Sequence, residues 1–188
     1  QQVCSGGTGL QLGLDQVAGG GRLSIEDSVA YPETPTFKVH GVTGAGASGK
    51  KVIVSARNGA RPVILATGES TLAIGARGTL VLEGLVIAGG ALRLAAAGDD
   101  EPRTLILRDC TLVPGLSLKP DGGATSPGQP SLVVRHPFAK VTIERCITGP
   151  LQVDTHAQVE LRDTIVDAGA PHEVAFDGDG SGGAGRRL

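Results

Sequence analysis

Residues 80–94 read LVLEGLVIAGGALRL, and residues 105–118 read LILRDCTLVPGLSL. Set one under the other, they share a template. An aliphatic triplet with a free middle position is followed by two turn residues, a second triplet opening on a small or aliphatic residue, and then a third. Residues 141–153, VTIERCITGPLQV, repeat the template, and residues 159–166, VELRDTIV, begin it again. Alternation with a period of two marks short strands, and Gly, Pro or Asp punctuates the gaps between them. Outward from this block, Leu23-Ser24-Ile25, Val52-Ile53-Val54 and Leu72-Ala73-Ile74 carry the same signal. Starts at 80, 105, 141 and 159 give spacings of 25, 36 and 18. The long interval contains KPDGGATSPGQP (119–130), read as an inserted loop. Asn-Gly and Asp-Gly turns are too few for each strand to end in a hairpin. Self-similarity at this period instead marks a solenoid, in which one unit cannot close a core and stacking buries it. The expectation is all-β, with about six irregular turns of three short strands each. Third strands are expected at Leu92-Arg93-Leu94, Leu116-Ser117-Leu118, Leu151-Gln152-Val153 and Val174-Ala175-Phe176.

Three short strands per turn of 18–25 residues resemble the right-handed parallel β-helix, the architecture of the pectate-lyase-like superfamily, over residues 21 to 188. RLSIEDS (22–28) and RDTIVDA (162–168) also look like β-helix stretches of large uncharacterised bacterial proteins. The resemblance implies a fold and carries no activity with it. Residues 1–20 are expected to form a leader or cap, with Leu10 to Val17 folding across the first rung, and 21–188 the helix itself, cut from a longer chain.

In a parallel solenoid, equivalent residues stack about 4.8 Å apart, so aligned columns become contacts. Two inward columns hold Leu80, Leu105, Val141, Val159 and Leu82, Leu107, Ile143, Leu161. A third holds Leu85, Cys110, Cys146 and Thr164. At the corner, one column reads Glu26, Glu83, Arg108, Glu144, Arg162 and its neighbour Asp27, Gly84, Asp109, Arg145, Asp163. The sign alternates from residue 83 onward in the first and from 109 in the second, as stacking at this distance requires. Outward positions hold Val29, Val81, Val86, Ile106, Thr111, Ile147 and Ile165. A contiguous apolar stripe on a protein surface usually meets something. A second copy or a flanking domain of the parent protein is the expected cover.

The 188 residues include 30 Gly and 11 Pro but only four aromatic rings, Tyr31, Phe37, Phe138 and Phe176, where a sugar-binding groove favours aromatic platforms. A formal charge of -2 gives no electrostatic reason to bind nucleic acid, and no apolar run approaches a membrane span. Cys4, Cys110 and Cys146 fit neither a disulfide framework nor a zinc knuckle. Buried thiols are expected, with a disulfide as the alternative, and a cytoplasmic setting is mildly favoured.

Chemistry-bearing motifs are sparse. GAGASGK (44–50) has the letters of a phosphate loop, but Lys51 and a strand follow where Ser or Thr and a helix are needed. DGDGSG (177–182) opens like a calcium loop, but Leu188 stands where the bidentate Glu belongs. Asp99, Asp100 and Glu101 form a weak calcium candidate. The four histidines have no metal-ligand spacing and read as surface or turn residues, with His136 and His156 able to approach across a rung. No cofactor is expected. A polysaccharide lyase or glycosidase would use Asp109, Arg145 and Asp163. The two carboxyls lie two rungs apart, near the upper limit for an inverting pair, but Arg145 between them holds both ionised. The expectation is therefore a non-catalytic structural or interaction domain. A carbohydrate-active or glycan-binding domain is the alternative.

Overall fold

The computed structural model describes residues 1–44, 47–115 and 128–178. The chain enters through β1 (Gln2–Cys4) and α1 (Leu10–Val17). Among the described residues six windings follow, each giving one strand to each of three sheets. They are β2 (Gly21–Ile25), β3 (Ala30–Tyr31), β4 (Thr36–Val39); β5 (Lys51–Ala56), β6 (Val63–Ala66), β7 (Ser70–Ile74); and β8 (Thr79–Glu83), β9 (Val86–Gly89), β10 (Leu92–Leu94). The last three are β11 (Arg103–Arg108), β12 (Thr111–Pro114), β13 (Leu132–Val134); β14 (Ala139–Glu144), β15 (Ile147–Thr148), β16 (Leu151–Val153); and β17 (Gln158–Arg162), β18 (Ile165–Val166), β19 (Phe176–Asp177). The first sheet runs β1-β2-β5-β8-β11-β14-β17, the second β3 to β18 and the third β4 to β19. The fold is a right-handed parallel β-helix with three faces.

Register follows the sequence columns where the repeat is cleanest. Leu105 lies opposite Leu80 and Val141, and Val141 opposite Val159. Their side chains point inward, and Leu80, Leu82, Leu105, Leu107 and Ile143 are fully buried. Each such residue contributes about 1.5–3 kcal/mol. Gly84, Asp109, Arg145 and Asp163 each adopt the left-handed conformation, with φ of 72, 51, 52 and 48°. One residue of this kind turns the chain sharply from the first sheet to the second. Glycine does so freely, whereas the other three carry a cost of about 1–2 kcal/mol each.

Four alignments differ from expectation. The third strand of the fourth winding is Leu132–Val134, which lies opposite Leu92–Leu94. The insertion therefore precedes that strand, and Leu116-Ser117-Leu118 lies outside the described residues, with most of the 119–130 loop. Phe176, not Val174, opposes Leu151. Both errors have one cause: any aliphatic alternation fits a pleated inward face, so pattern alone does not choose between neighbouring triplets. Beneath Glu83 the column continues through Ser55 and Ser24, because the second winding intervenes. Glu26 instead pairs with Arg57 at 3.4 Å, and Asp27 accepts a hydrogen bond from the Tyr31 hydroxyl at 2.8 Å. Val29 precedes its expected column, which Ala30 occupies opposite Val63.

At the first end α1 lies against β1, β2 and β4 with Leu10, Leu14 and Val17 buried. Its first amides, of Leu10 and Gln11, donate to the two oxygens of Glu33 at 3.0 Å each. That carboxylate satisfies donors a short helix leaves orphaned and sits at the positive end of its dipole.

Candidate functional site

The outer side of the second sheet is apolar from one end to the other. Ala30, Val63, Val86, Thr111, Ile147 and Ile165 stack in one column, and Leu65, Ala88 and Val113 in the next. Alternate residues Ile64, Ile87 and Leu112 point inward and are buried. Neither outward column contains a charged residue. The first column is exposed at both ends, at Ala30 and at Ile147 (51%) and Ile165 (62%), with Val63, Val86 and Thr111 partly buried between them. Val86, Thr111, Ile147 and Ile165 thus share one face as the columns required.

Val81 and Ile106 do not belong to it. They lie on the first sheet in a column with Ile53 and Thr142. Val81 is only 3% exposed because it is flanked by Ile53 and Ile106 on adjacent rungs. It offers no docking surface. Val29 is exposed at the corner beside the face. Sequence reasoning missed Val63, Leu65 and Val113; the alternation in VILA (63–66) was the available signal, hidden by the long corner that precedes it.

The charged corner borders this face. The Arg145 guanidinium grips Asp109 through Nε and Nη2, at 2.9 and 3.0 Å, and contacts Glu144 through Nη1. Arg108 reaches the other Glu144 oxygen at 3.2 Å. The hydrogen bonds from Arg145 hold the Asp109 carboxyl below its ordinary range, so it stays ionised at neutral pH. Asp163 stands one winding further on and makes no ion pair among the described residues. The arrangement therefore brings Asp109 and Arg145 together and leaves Asp163 apart. Arg145 bridges the carboxylates of Asp109 and Glu144.

On the first sheet's outer side the second winding has a wider corner, residues 57–62, between β5 and β6. Arg57, Asn58 and Arg61 overhang an open polar groove of about 420 Å³ floored by Ser24 and Ser55. Arg22 crosses it to Glu83 at 3.1 Å, which ties down two of its charges.

Two of the three carboxylates of the 99–101 turn face guanidiniums, and Asp100 is exposed. Asp99 receives two hydrogen bonds from Arg103, both at 2.8 Å, and Glu101 two from Arg77, at 2.7 and 2.9 Å. Among the described residues no three acidic, His or Cys side chains converge as a metal site. Arg103 is itself buried, at 5% exposure, and also donates to the carbonyls of Ile74 (2.9 Å) and Glu101 (2.8 Å). Its Nη1 lies 2.7 Å from His136 Nε2. The same Nε2 lies 3.0 Å from the Glu101 carbonyl oxygen, so it sits between a donor and an acceptor, and Nδ1 has no hydrogen-bond partner among the described residues. His136 is thus fully buried rather than at a surface turn. His156 is exposed and turns to Asp154 at 3.2 Å, not to His136. The signal for Arg103 was its parity: it shares the inward phase of Leu105 and Leu107.

This cluster sets an acid limit on the fold. Hydrogen bonds from Arg103 lower the Asp99 carboxyl from 3.8 to about 2. Hydrogen bonds from Arg77 likewise lower Glu101. A depressed carboxyl stabilises the native state above its unfolded value, and that contribution is lost as pH falls through the folded one. The melting temperature is expected to drop between about pH 4 and pH 2, and a thermal-melt series on Arg103→Met is expected to show a shallower slope there.

Cys110 and Cys146 are free, buried and stacked. The Cys110 amide donates to the Cys146 sulfur at 3.4 Å, and the Cys146 amide to Thr164 Oγ1 at 3.4 Å. Each inward side chain thus satisfies the corner amide one winding below it. The Cys146 sulfur, together with burial, holds the Cys110 thiol well above its ordinary value. The GAGASGK and DGDGSG stretches lie partly outside the described residues. No protein-family model, curated protein or solved structure matches the chain, and the functional reading rests on this geometry.

Proposed function

We propose that the chain is a non-catalytic structural or interaction domain of a larger bacterial protein, packing on a copy of itself or on a neighbouring domain through the second sheet. The observation that carries this reading is the uncharged double column ending in the exposed Ile147 and Ile165. A stack of six rungs at 4.8 Å, about three residues wide, offers roughly 240 Å² per side. That is well short of the roughly 800 Å² each partner buries in a stable complex. The face alone therefore favours a tethered neighbour, held at high effective concentration, over a free one.

The test has two arms. A hydrophobic dye such as anilinonaphthalene sulfonate is expected to bind the folded chain and to lose most of its fluorescence gain in the Ile147→Lys, Ile165→Lys double variant, with melting unchanged. Equal dye binding by both proteins overturns the reading. Polysaccharide cleavage through Asp109, Arg145 and Asp163 is the rival. Incubation with acidic and neutral polysaccharides, with and without calcium, is expected to give no uronate absorbance and no new reducing ends. Product that Asp163→Asn abolishes would establish the rival instead.

A further inference from the structure

The second winding passes from β5 to β6 through a longer corner than the later windings use, and that corner is held in place. The Arg57 amide donates to the Ile25 carbonyl at 2.8 Å, and the Ala60 amide to the Arg57 carbonyl at 2.9 Å. The Arg61 amide donates to Ser28 Oγ at 2.9 Å. Gly59, with φ of 84°, closes the tight turn, and Ala60 and Pro62 are buried. Arg57, Asn58 and Arg61 stay exposed between these anchors and overhang the groove on the first sheet. Every residue that lines the groove belongs to the first four windings and their corners.

Two groups here are left without partners. Ser55 faces outward, since Val52 and Val54 alternate with it and are buried, and it stands between Ser24 and Glu83 in its column. It is only 4% exposed, yet its hydroxyl has no hydrogen-bond partner among the described residues. Ser24, by contrast, donates to Glu26 at 2.5 Å. The second group is a charge. Arg22 pairs with Glu83 at 3.1 Å, Arg57 with Glu26 at 3.4 Å, and Asp109 with Arg145 at 2.9 Å. The Arg61 guanidinium meets no carboxylate among the described residues and reaches only the Ala60 carbonyl, at 3.4 Å.

We propose that the groove binds a tetrahedral oxyanion carried as an ester on a small polyhydroxylated molecule, a sugar phosphate or a sugar sulfate. The inference concerns a different sheet from the second-sheet reading and does not depend on it. Arg61 supplies the unmatched positive charge. A guanidinium offers five N–H donors, so Arg57 spends one nitrogen on Glu26 and keeps the others. The Ser55 hydroxyl adds a donor from the floor. Donors from the rim and the floor suit three ester oxygens better than the two of a planar carboxylate. Glu83 and Asp109, on the third and fourth windings, are acceptors for hydroxyls of the carrier, and Asn58 can both give and accept. A polyanion is disfavoured, because two carboxylates line a groove with a single unmatched cation. The volume, about 420 Å³, lies within the range of small-ligand sites.

Isothermal titration calorimetry on the full chain at low ionic strength tests the site, with glucose 6-phosphate and glucose 6-sulfate as probes. At least one ester is expected to bind roughly tenfold more tightly than inorganic phosphate, sulfate, acetate or glucose, and the tighter ester names the source of the oxyanion. Arg61→Met is expected to weaken that binding about tenfold or more, and Ser55→Ala about threefold, as loss of a charged and of a neutral hydrogen bond implies. Neither variant is expected to move the melting temperature, because the Arg61 side chain has one long bond to the fold and the Ser55 hydroxyl none. Lys38→Met removes the same charge from an exposed position on the third sheet and is expected to bind like wild type. Circular dichroism checks each fold, and if Arg61→Met fails to fold, Ser55→Ala decides. Absence of binding by both esters overturns the proposal, as does an ester that binds no more tightly than its free ion, acetate or glucose. A folded Arg61→Met or Ser55→Ala with wild-type affinity, or an equal loss in Lys38→Met, overturns it too.

Discussion

Arg103→Met is expected to destabilise the fold by about 3 kcal/mol, one of the two largest single-residue effects anticipated for this chain. Methionine fills the same volume and keeps the inward position of β11, so little is lost in packing. The hydrogen bonds are not replaced. Ile74 O and Glu101 O lose their guanidinium donor, as does the His136 imidazole inside the stack. A buried group left unsatisfied costs about 1–3 kcal/mol. Asp99 is half exposed and rehydrates, which is why the expected loss stays below that of a stranded charge. For a domain of this length the change corresponds to a melting temperature lower by about 10 °C. Arg103→Lys is expected to recover only part of it, since one ammonium cannot serve acceptors on three sides of a planar fork. Thermal melts at neutral pH check both variants, and a Met variant within 2–3 °C of wild type would show that the cluster is dispensable.

The architecture was legible because stacking repeats each constraint. A column is specified several times over, so Leu80, Leu105, Val141 and Val159 could be aligned with no structure in view. The alternation at Glu83, Arg108, Glu144 and Arg162 fixed the phase independently. Legibility failed where one position carried no repeat. The third strand of the fourth winding was misplaced because LSL and LVV are equally good inward triplets. The second winding, with six corner residues where later windings use two, slipped past the corner alignment and took Val63 and Leu65 with it. Val81 was misjudged for another reason. Parity gives the side of a sheet, but burial on that side depends on the neighbours above and below, here two isoleucines. The apolar face was readable in outline, because its residues recur at one phase. Arg103 and His136 were not. Their partnership joins an inward arginine to a residue 33 positions away, and no pattern in a single sequence encodes that distance.

Gly90→Ala is expected to cost about 3 kcal/mol or more, although the substitution adds one methyl group at a partly exposed site. A Cβ there would lie 1.9 Å from the Gly68 carbonyl oxygen and 2.2 Å from its carbon. Overpacking of this sort costs about 1–3 kcal/mol when a side chain can move aside. Here the obstacle is backbone, so one winding must shift against the next. That shift works directly on the pairing of Leu92 with Ser70 and of Arg93 with Thr71, and on the Arg93–Glu69 ion pair. Gly98→Ala is the matched control. It meets nothing within 4 Å, and its φ lies outside the left-handed range. It is expected to be neutral or to stabilise by about 0.4–1 kcal/mol through the unfolded chain. Urea denaturation distinguishes the two. Amide exchange then locates the damage: because each winding touches only its neighbours, faster exchange is expected in β7 and β10 and little change in β16. Uniform acceleration through all six windings would mean that the stack unfolds as one unit, and the nearest-neighbour account of its stability would fail.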